Sequence, residues 1–340
     1  MKRIEWIDIA KGQTIFLVVL VHVLEGIYKT NLFPNLDWGL QWTMSGIFLI
    51  IMPIFLALSG YLYKASFDRT HFALQIKNKA WNLLWPSVLF SFIYVILQNF
   101  GGGSVHEGHQ WSALLKMGWE PIGYLWFLET LFLIWLLISV LFRLKVPLVG
   151  QTLIYIGMLL LGWQIRGPLI LTDVCVWILF FFLGYLIRKF SDQMLQPGIV
   201  VISMILVLFT WYIQTQQPGE WYDANGPTPL IMIGKLASVL VAFKFFQLIK
   251  LNKTKKYWLA AGENSLIIYL VHAPLASILR IIFLKLGVDN FYLLMVIVLF
   301  LTWEISRLIG RASLKYQFLK MIFYPTRWWS ETGKFWLRSR

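Results

Sequence analysis

Apolar runs of membrane-spanning length recur along almost the whole of this 340-residue chain. About twenty apolar residues in an α-helix cross the roughly 30 Å hydrocarbon core of a bilayer. Charged residues make up only 14% of the sequence, against about 25% in soluble domains. The sequence therefore predicts an all-α, polytopic transmembrane helix bundle of about ten spans, with residues 1–340 forming a single integral membrane domain. The predicted spans are 9–28, 39–63, 80–100, 123–142, 147–164, 168–187, 197–214, 229–248, 259–284 and 291–310.

The net charge of +14 is distributed in a pattern that argues against nucleic-acid binding. If the N-terminus is cytosolic, all but six of the 30 Lys and Arg residues lie in or beside the N-terminal segment, the inner segments between alternate runs, or the C-terminal tail. This bias is the topology signal of a multi-pass membrane protein. We therefore predict that both termini are cytosolic and that the chain contacts membrane lipids, with no nucleic-acid partner. The six exceptions are Lys29, Lys116, Arg166, Lys235, Arg280 and Lys285.

The first span carries titratable side chains, which are costly in a bilayer. Lys11 and His22 are eleven residues apart, which is about 20° beyond three full turns and a rise of about 16 Å. They therefore share one helix face, with Asp8 three residues before Lys11 and Glu25 three residues after His22. Two interpretations remain open. The stripe is either a polar seam that hydrogen-bonds neighbouring helices, or a site with an anion-binding cation and an imidazole that acts as a general base.

Two other spans carry groups that could join such a site. His272 lies about as far into its span as His22 lies into the first, so we expect the two imidazoles at similar depth. An unpaired carboxylate is costly at Glu129, in the outer half of the fourth span, so we expect this group to be protonated or paired with a histidine or Lys235. A carboxylate behind a histidine orients the ring and stabilises its protonated form. The alternatives are a polar packing seam around His272 and a structural Glu129–Lys235 pair.

Lys77 and Lys79 lie in a predicted inner loop beside two tryptophans. Such lysines are either an ordinary solvated topology signal or a grip on a nucleotide phosphate, since ammonium groups bind anions there without desolvation. The outer segment HEGH at residues 106–109 has the wrong spacing for a zinc-binding helix. We therefore predict no metal site.

Four segments are informative when they are read in order: RIEWIDIAKGQTIFLVVLVH, MPIFLALSGYLY, YLWFLETLF and NSLIIYLVHAPL. Together they resemble the acyltransferase-3 family of membrane acyltransferases, which includes sugar O-acetylases. The resemblance covers nearly the whole chain. It implies transfer of an acyl group, most simply from acetyl-CoA in the cytosol, to a hydroxyl of a cell-surface or lipid-linked sugar. It also implies a plasma or inner membrane location.

The resemblance gives the polar residues roles. It implies that His22 is catalytic and that Lys11 belongs to the donor-binding region. We add Glu129 and His272 to His22 as catalytic candidates. We add Asp8, Lys77 and Lys79 to Lys11 as donor-binding candidates. Many family members have Arg at the position of Lys11, and a lysine keeps the charge but loses the bidentate fork. The family's basic pattern at the third span usually continues at the position of Asn82.

Other functions would use the same residues. A proton-coupled transporter or flippase of a lipid-linked sugar or small anion could use His22, Glu25, Glu129 and His272 as a proton relay. A non-catalytic sensor or assembly partner is a third alternative. Transfer of label from acetyl-CoA and uptake into vesicles discriminate between the first two.

Overall fold

The structure is a computed structural model that describes residues 4–65, 67–101, 110–162, 164, 169–217 and 228–338. These residues form fourteen α-helices joined by short loops and 3-10 turns, with no β-strand among them. The helices are α1 Glu5–Tyr28, α2 Asp37–Tyr61, α3 Arg69–Gly101, α4 Trp126–Arg143, α5 Leu148–Gly162, α6 Leu169–Lys189, α7 Ser191–Met194, α8 Pro197–Thr215, α9 Pro229–Leu248, α10 Lys255–Glu263, α11 Ser265–Lys285, α12 Phe291–Lys315, α13 Gln317–Phe323 and α14 Pro325–Arg338.

Within the described ranges, nine segments are helical, long and apolar enough to cross a membrane. They correspond to nine of the ten predicted spans, which confirms the prediction of an all-α, polytopic protein. The tenth, α5, is apolar but has only 15 residues, a length of about 22 Å. Cytosolic termini and a single domain remain predictions.

Two predicted boundaries differ from the structure. α3 begins at Arg69, eleven residues before the predicted start of its span, because the polar segment before the span contains no proline or other helix breaker. The predicted inner loop around Lys77 and Lys79 is therefore helical. The predicted span 259–284 is divided at Asn264, which ends α10 and precedes α11.

The first of two compact units contains the residues up to Tyr63 together with Phe180–Ile305. Glycines let its helices approach to backbone contact. A Cβ atom at Gly12 of α1 would lie 2.4 Å from the carbonyl oxygen of Trp258, and one at Gly262 of α10 would lie 1.8 Å from that of Asp8. Since no side chain larger than hydrogen fits at either position, α1 and α10 cross without intervening side chains.

The second unit contains Lys64–Leu179 and the residues from Ser306 onward. Here the C-terminal helices α13 and α14 pack on α3. Trp329 of α14 meets Trp81 edge to face, with ring centroids 4.9 Å apart. Thr326 donates a hydrogen bond of 2.8 Å to the side-chain oxygen of Asn82. Much of the basic C-terminal segment is therefore helical and anchored to the start of α3.

Candidate active site

The polar stripe of the first span lies on one uninterrupted helix. α1 runs for 24 residues from Glu5 to Tyr28 without a proline, so ideal helix geometry applies between Lys11 and His22. The predicted rise of about 16 Å and rotation of about 20° therefore hold. Between its first and last turns the backbone amides and carbonyls of α1 pair within the helix, so its side chains bring most of the polarity into the span.

Glu25 connects His22 to a cation. Nδ1 of His22 lies 3.2 Å from Oε2 of Glu25, and the Lys29 ammonium lies 3.0 Å from Oε1 of the same carboxylate. A carboxylate only accepts hydrogen bonds, so Nδ1 of the neutral His22 ring carries the hydrogen. The lone pair is then on Nε2, and Lys29 offsets the charge of the carboxylate. This arrangement is that of a base with an orienting acid.

The ring of His22 lies against a second histidine. Its ring centroid lies 5.1 Å from that of His272, and the rings are tilted by 45°. His272 is completely buried, whereas the side chain of His22 keeps 26% of its surface accessible. The prediction that the two imidazoles share one depth is confirmed. The ring of His22 therefore packs against a buried partner and keeps part of its own surface accessible.

Backbone carbonyls fix the tautomer of His272. Its Nδ1 lies 2.6 Å from the oxygen of Tyr269 and 3.2 Å from that of Ile268. Both oxygens only accept, so Nδ1 carries the hydrogen and Nε2 is the acceptor nitrogen. In this form His272 can accept a proton from a neighbouring group, and it becomes a donor through Nε2 only after protonation.

Arg280 connects α11 to α1 through a side-chain hydrogen bond. This arginine is buried, and its Nη1 donates a hydrogen bond to the carbonyl oxygen of Gly26. A Cβ atom at Gly26 would lie 2.8 Å from Nη1, so glycine leaves the space that the guanidinium occupies. Because Gly26 follows Glu25 directly, this contact fixes the backbone that carries the His22–Glu25 pair.

Lys11 and Asp8 lie near the other end of α1. Lys11 is half-buried, and Asp8, three residues earlier, interacts with it electrostatically. Near the start of the helix, Glu5 forms an ion pair of 2.7 Å with Lys255 of α10. Together with the close crossing of α10 at Gly12, these contacts give Lys11 a fixed position on the helix that carries His22.

Glu129 belongs to the second unit, in the first turn of α4. Its side chain is buried, and Ser87 of α3 donates a hydrogen bond of 2.9 Å to Oε1. Ser87 is therefore one hydrogen-bond partner of this carboxyl group, and a pairing with a histidine or with Lys235 stays a prediction. Lys235 is itself buried, in α9 of the first unit.

Lys77 and Lys79 lie on α3, also in the second unit. The ammonium of Lys77 is 6.0 Å from the ring centroid of Trp329, and that of Lys79 is 5.8 Å from the ring centroid of Trp135. Aromatic faces attract cations at these distances. The lysines are therefore positioned by aromatic rings on a helix, and their role toward a donor stays a prediction.

Metal binding has no support in the described ranges, where no group of three or more His, Cys, Asp or Glu side chains could hold an ion. The HEGH segment at residues 106–109 and Arg166 lie outside the described residues.

Sequence reasoning missed the roles of Glu25, Lys29 and Arg280. The spacing of His22, Glu25 and Lys29 is i, i+3 and i+7, which places them along one helix face. That signal was available from the sequence. The contact of Arg280 with Gly26 had no comparable signal, because the two residues lie 254 positions apart.

Comparison with known sequences gives a family match over most of the chain. The sequence profile of the acyltransferase-3 family, described as an acyltransferase domain, matches residues 4–307. The chain belongs to the acyltransferase-3 family. The match takes in every candidate residue named above, so this acyltransferase-3 chain carries its histidine pair, Lys11 and Glu129 inside the family domain. Family membership confirms the resemblance that the four segments indicated.

Two curated relatives also match this acyltransferase-3 chain. The nodulation protein NolL of Sinorhizobium fredii (strain NBRC 101917 / NGR234) is 30% identical over 121 residues, which are 36% of this chain and 32% of the relative. The nodulation protein NolL of Mesorhizobium japonicum (strain LMG 29417 / CECT 9101 / MAFF 303099) is 30% identical over 137 residues, 39% of this chain and 35% of the relative. The matched part thus spans about a third of the length of each relative. No solved structure matches the chain significantly.

Proposed function

We propose that this chain is an integral membrane O-acyltransferase of the plasma or inner membrane. It moves an acetyl group from cytosolic acetyl-CoA, or another acyl group from its CoA thioester, to a hydroxyl of a cell-surface or lipid-linked sugar. Membership of the acyltransferase-3 family supports the reaction class. The observation that carries the assignment of residues is the contact of His22 with Glu25, on a ring that is partly accessible and faces the buried His272.

In this proposal His22 is the general base. Nε2 takes the proton of the acceptor hydroxyl as its oxygen attacks the thioester carbonyl carbon. Glu25 holds the ring through Nδ1 and offsets the positive charge that the ring gains. The tetrahedral intermediate collapses, the carbon–sulfur bond breaks, and the proton on Nε2 passes to the departing thiolate. The products are the acylated sugar and free CoA, and His22 returns to its neutral state.

The position of Lys11 suits the donor. Its Cα lies about 16 Å from that of His22 along the helix axis and on the same face, at the end that the charge pattern predicts to be cytosolic. A phosphate held there leaves the extended pantetheine arm to reach His22. Asp8 orients the ammonium, and Lys77 and Lys79 are candidates for further phosphate contacts.

The test uses purified protein in vesicles with radiolabelled acetyl-CoA and a lipid-linked sugar fraction from the same membranes. Wild-type protein should release CoA and transfer label to the lipid-linked fraction. The His22→Ala variant should lose transfer by about 10²- to 10⁴-fold, the range for removing a general base, while CoA binding by calorimetry persists. His71→Ala is the matched control, since His71 is an exposed histidine on α3.

Normal transfer by the His22→Ala variant would overturn the assignment of the base. Uptake of the labelled compound into vesicles without acyl transfer would overturn the enzyme and favour the transporter.

A further inference from the structure

An apolar crevice in the first unit plays no part in the reaction proposed above. It has a volume of about 650 Å³ and lies among α1, α2, α8, α9 and α10. This size is within the usual range of roughly 300–1,000 Å³ for small-molecule sites. Most of its lining side chains are aliphatic or aromatic, among them Ile54, Met204, Val241 and Phe246.

The crevice lies on the opposite side of α1 from the polar stripe. Gln13 and Leu17 line it, and helix geometry places them about 180° and 140° around the axis from His22. Lys11 shares the His22 face, so the proposed base and the proposed donor-binding cation both point away from the crevice. Its occupant is therefore neither the reacting thioester nor the acceptor hydroxyl.

The lining hydroxyls are turned away from any occupant. Thr14 donates its hydroxyl hydrogen to the carbonyl oxygen of Ala10, at 2.7 Å, and Ser238 donates to that of Lys235, also at 2.7 Å. Each hydroxyl thus uses its hydrogen on its own helix. A ligand that needed hydrogen-bond donors would find few in the interior of the crevice. A hydrocarbon chain has no polar group, so its burial there leaves no hydrogen bond unsatisfied.

The length of the crevice matches the thickness of one leaflet of a bilayer. The lining runs from Val200 to Val207 on α8 and from Ser238 to Leu248 on α9, which are lengths of about 10 Å and 15 Å. Half of a hydrocarbon core about 30 Å thick is about 15 Å. Met204 and Phe245 are 47% and 54% exposed, so a lipid chain can enter from the side.

One end of the crevice is positively charged. Lys244 lines it near the end of α9, and Lys250, Lys253, Lys255 and Lys256 follow with no acidic residue between. Lys255 is paired with Glu5, but among the described residues no carboxylate forms an ion pair with Lys244. Lysine clusters directly after a membrane span attract anionic headgroups.

We infer that this crevice holds one acyl chain of an anionic phospholipid, with the headgroup at Lys244. The bound lipid is a structural or regulatory ligand on the face of α1 opposite the histidines. The inference does not depend on the proposed function, because it rests on the apolar lining of the crevice and on the lysines at one of its ends.

Phospholipids with a photoreactive diazirine in one acyl chain test this site in vesicles. Two probes with the same chains are compared, the anionic phosphatidylglycerol and the zwitterionic phosphatidylcholine. After illumination, mass spectrometry maps the cross-linked peptides. Phosphatidylglycerol should label the crevice faces of α8 and α9 in preference to other lipid-facing helices. Its labelling there should exceed that of phosphatidylcholine by about fivefold, the effect of one lysine near an anionic headgroup.

Two variants with matched controls localise the effect. Ala242→Trp fills the crevice and should remove the labelling, whereas Ile233→Trp, at a 46% exposed position elsewhere on α9, should retain it. Lys244→Gln should abolish the preference for phosphatidylglycerol, and Lys189→Gln, at the end of α6, should not. Labelling spread evenly over all lipid-facing helices, or equal labelling of the crevice by both lipids, would overturn the inference even if a filled variant failed to fold.

Discussion

His22 and His272 meet across the contact between α1 and α11, with ring centroids 5.1 Å apart. Each ring is oriented through Nδ1, His22 by the carboxylate of Glu25 and His272 by the backbone oxygen of Tyr269. Both rings therefore have Nε2 as the acceptor nitrogen. In the proposed reaction the His22–Glu25 pair supplies a base with its supporting acid from two residues of one helix turn, and the second helix places a buried imidazole beside it.

Replacing Glu25 by Gln should lower kcat by about 10²- to 10⁴-fold, with the upper limit set by the loss seen when the acid of a catalytic triad becomes an amide. The Gln amide nitrogen can donate to Nδ1 of His22, which favours the ring with its hydrogen on Nε2. Steady-state kinetics should show an unchanged KM for the donor. Glu5→Gln, which breaks an exposed ion pair with Lys255, is the control, and an undiminished kcat in Glu25→Gln would contradict the orienting role.

Replacing Lys11 by Ala should raise the donor KM by about 10- to 100-fold, because a hydrogen bond to a charged group contributes roughly 1.5–3 kcal/mol. The effect on kcat should be smaller, since Lys11 is about 16 Å from His22. Titration with CoA measures the same loss without turnover. Lys11→Arg should keep the affinity, and Lys189→Ala serves as a control on another helix. A donor affinity that is equal in Lys11→Ala and wild type would refute the phosphate contact.

Replacing Arg280 by Gln should lower kcat. It should also lower the free energy of unfolding by roughly 1–3 kcal/mol, the cost of leaving a buried acceptor unsatisfied. The acceptor is the carbonyl oxygen of Gly26, next to Glu25. Arg280→Lys keeps a donor and should partly restore kcat at an unchanged KM, a recovery that distinguishes positioning from simple stabilisation. Lys285→Gln, exposed at the end of the same helix, is the matched control. Equal kcat in Arg280→Gln and wild type would exclude the positioning role.

Replacing Gly262 by Ala should destabilise the protein by about 1–3 kcal/mol or more, the usual cost of overpacking. The new Cβ would lie 1.8 Å from the backbone oxygen of Asp8, so α10 has to move away from α1. Thermal unfolding in detergent measures the loss. Gly157→Ala in α5 provides the comparison, because nothing lies within 4 Å of its Cβ position and alanine is the better helix former. If Gly262→Ala unfolded at or above the wild-type temperature, the close crossing of α1 and α10 would be wrong.

Hydropathy alone determined the fold class and most of the helices. A bilayer leaves no water for unpaired backbone groups, so an apolar run of sufficient length has to be helical whatever its neighbours are. Helix periodicity then fixed the common face of Lys11 and His22, because both lie on one unbroken helix. The predicted start of the third span lies eleven residues after the observed start of α3. Hydropathy marks where a helix enters lipid and not where the helix begins.

Tertiary structure decided which side chains meet. Residues on one helix, such as His22 and Glu25, have a spacing that can be read from the chain. The contact of His22 with His272, the hydrogen bond from Ser87 to Glu129 and that from Arg280 to Gly26 each join different helices. Lipid solvates every apolar helix face about equally, so apolar patterning does not select helix neighbours. Close packing at glycines such as Gly12 and Gly262 and a few buried hydrogen bonds make that selection, and they exist only once the helices are assembled.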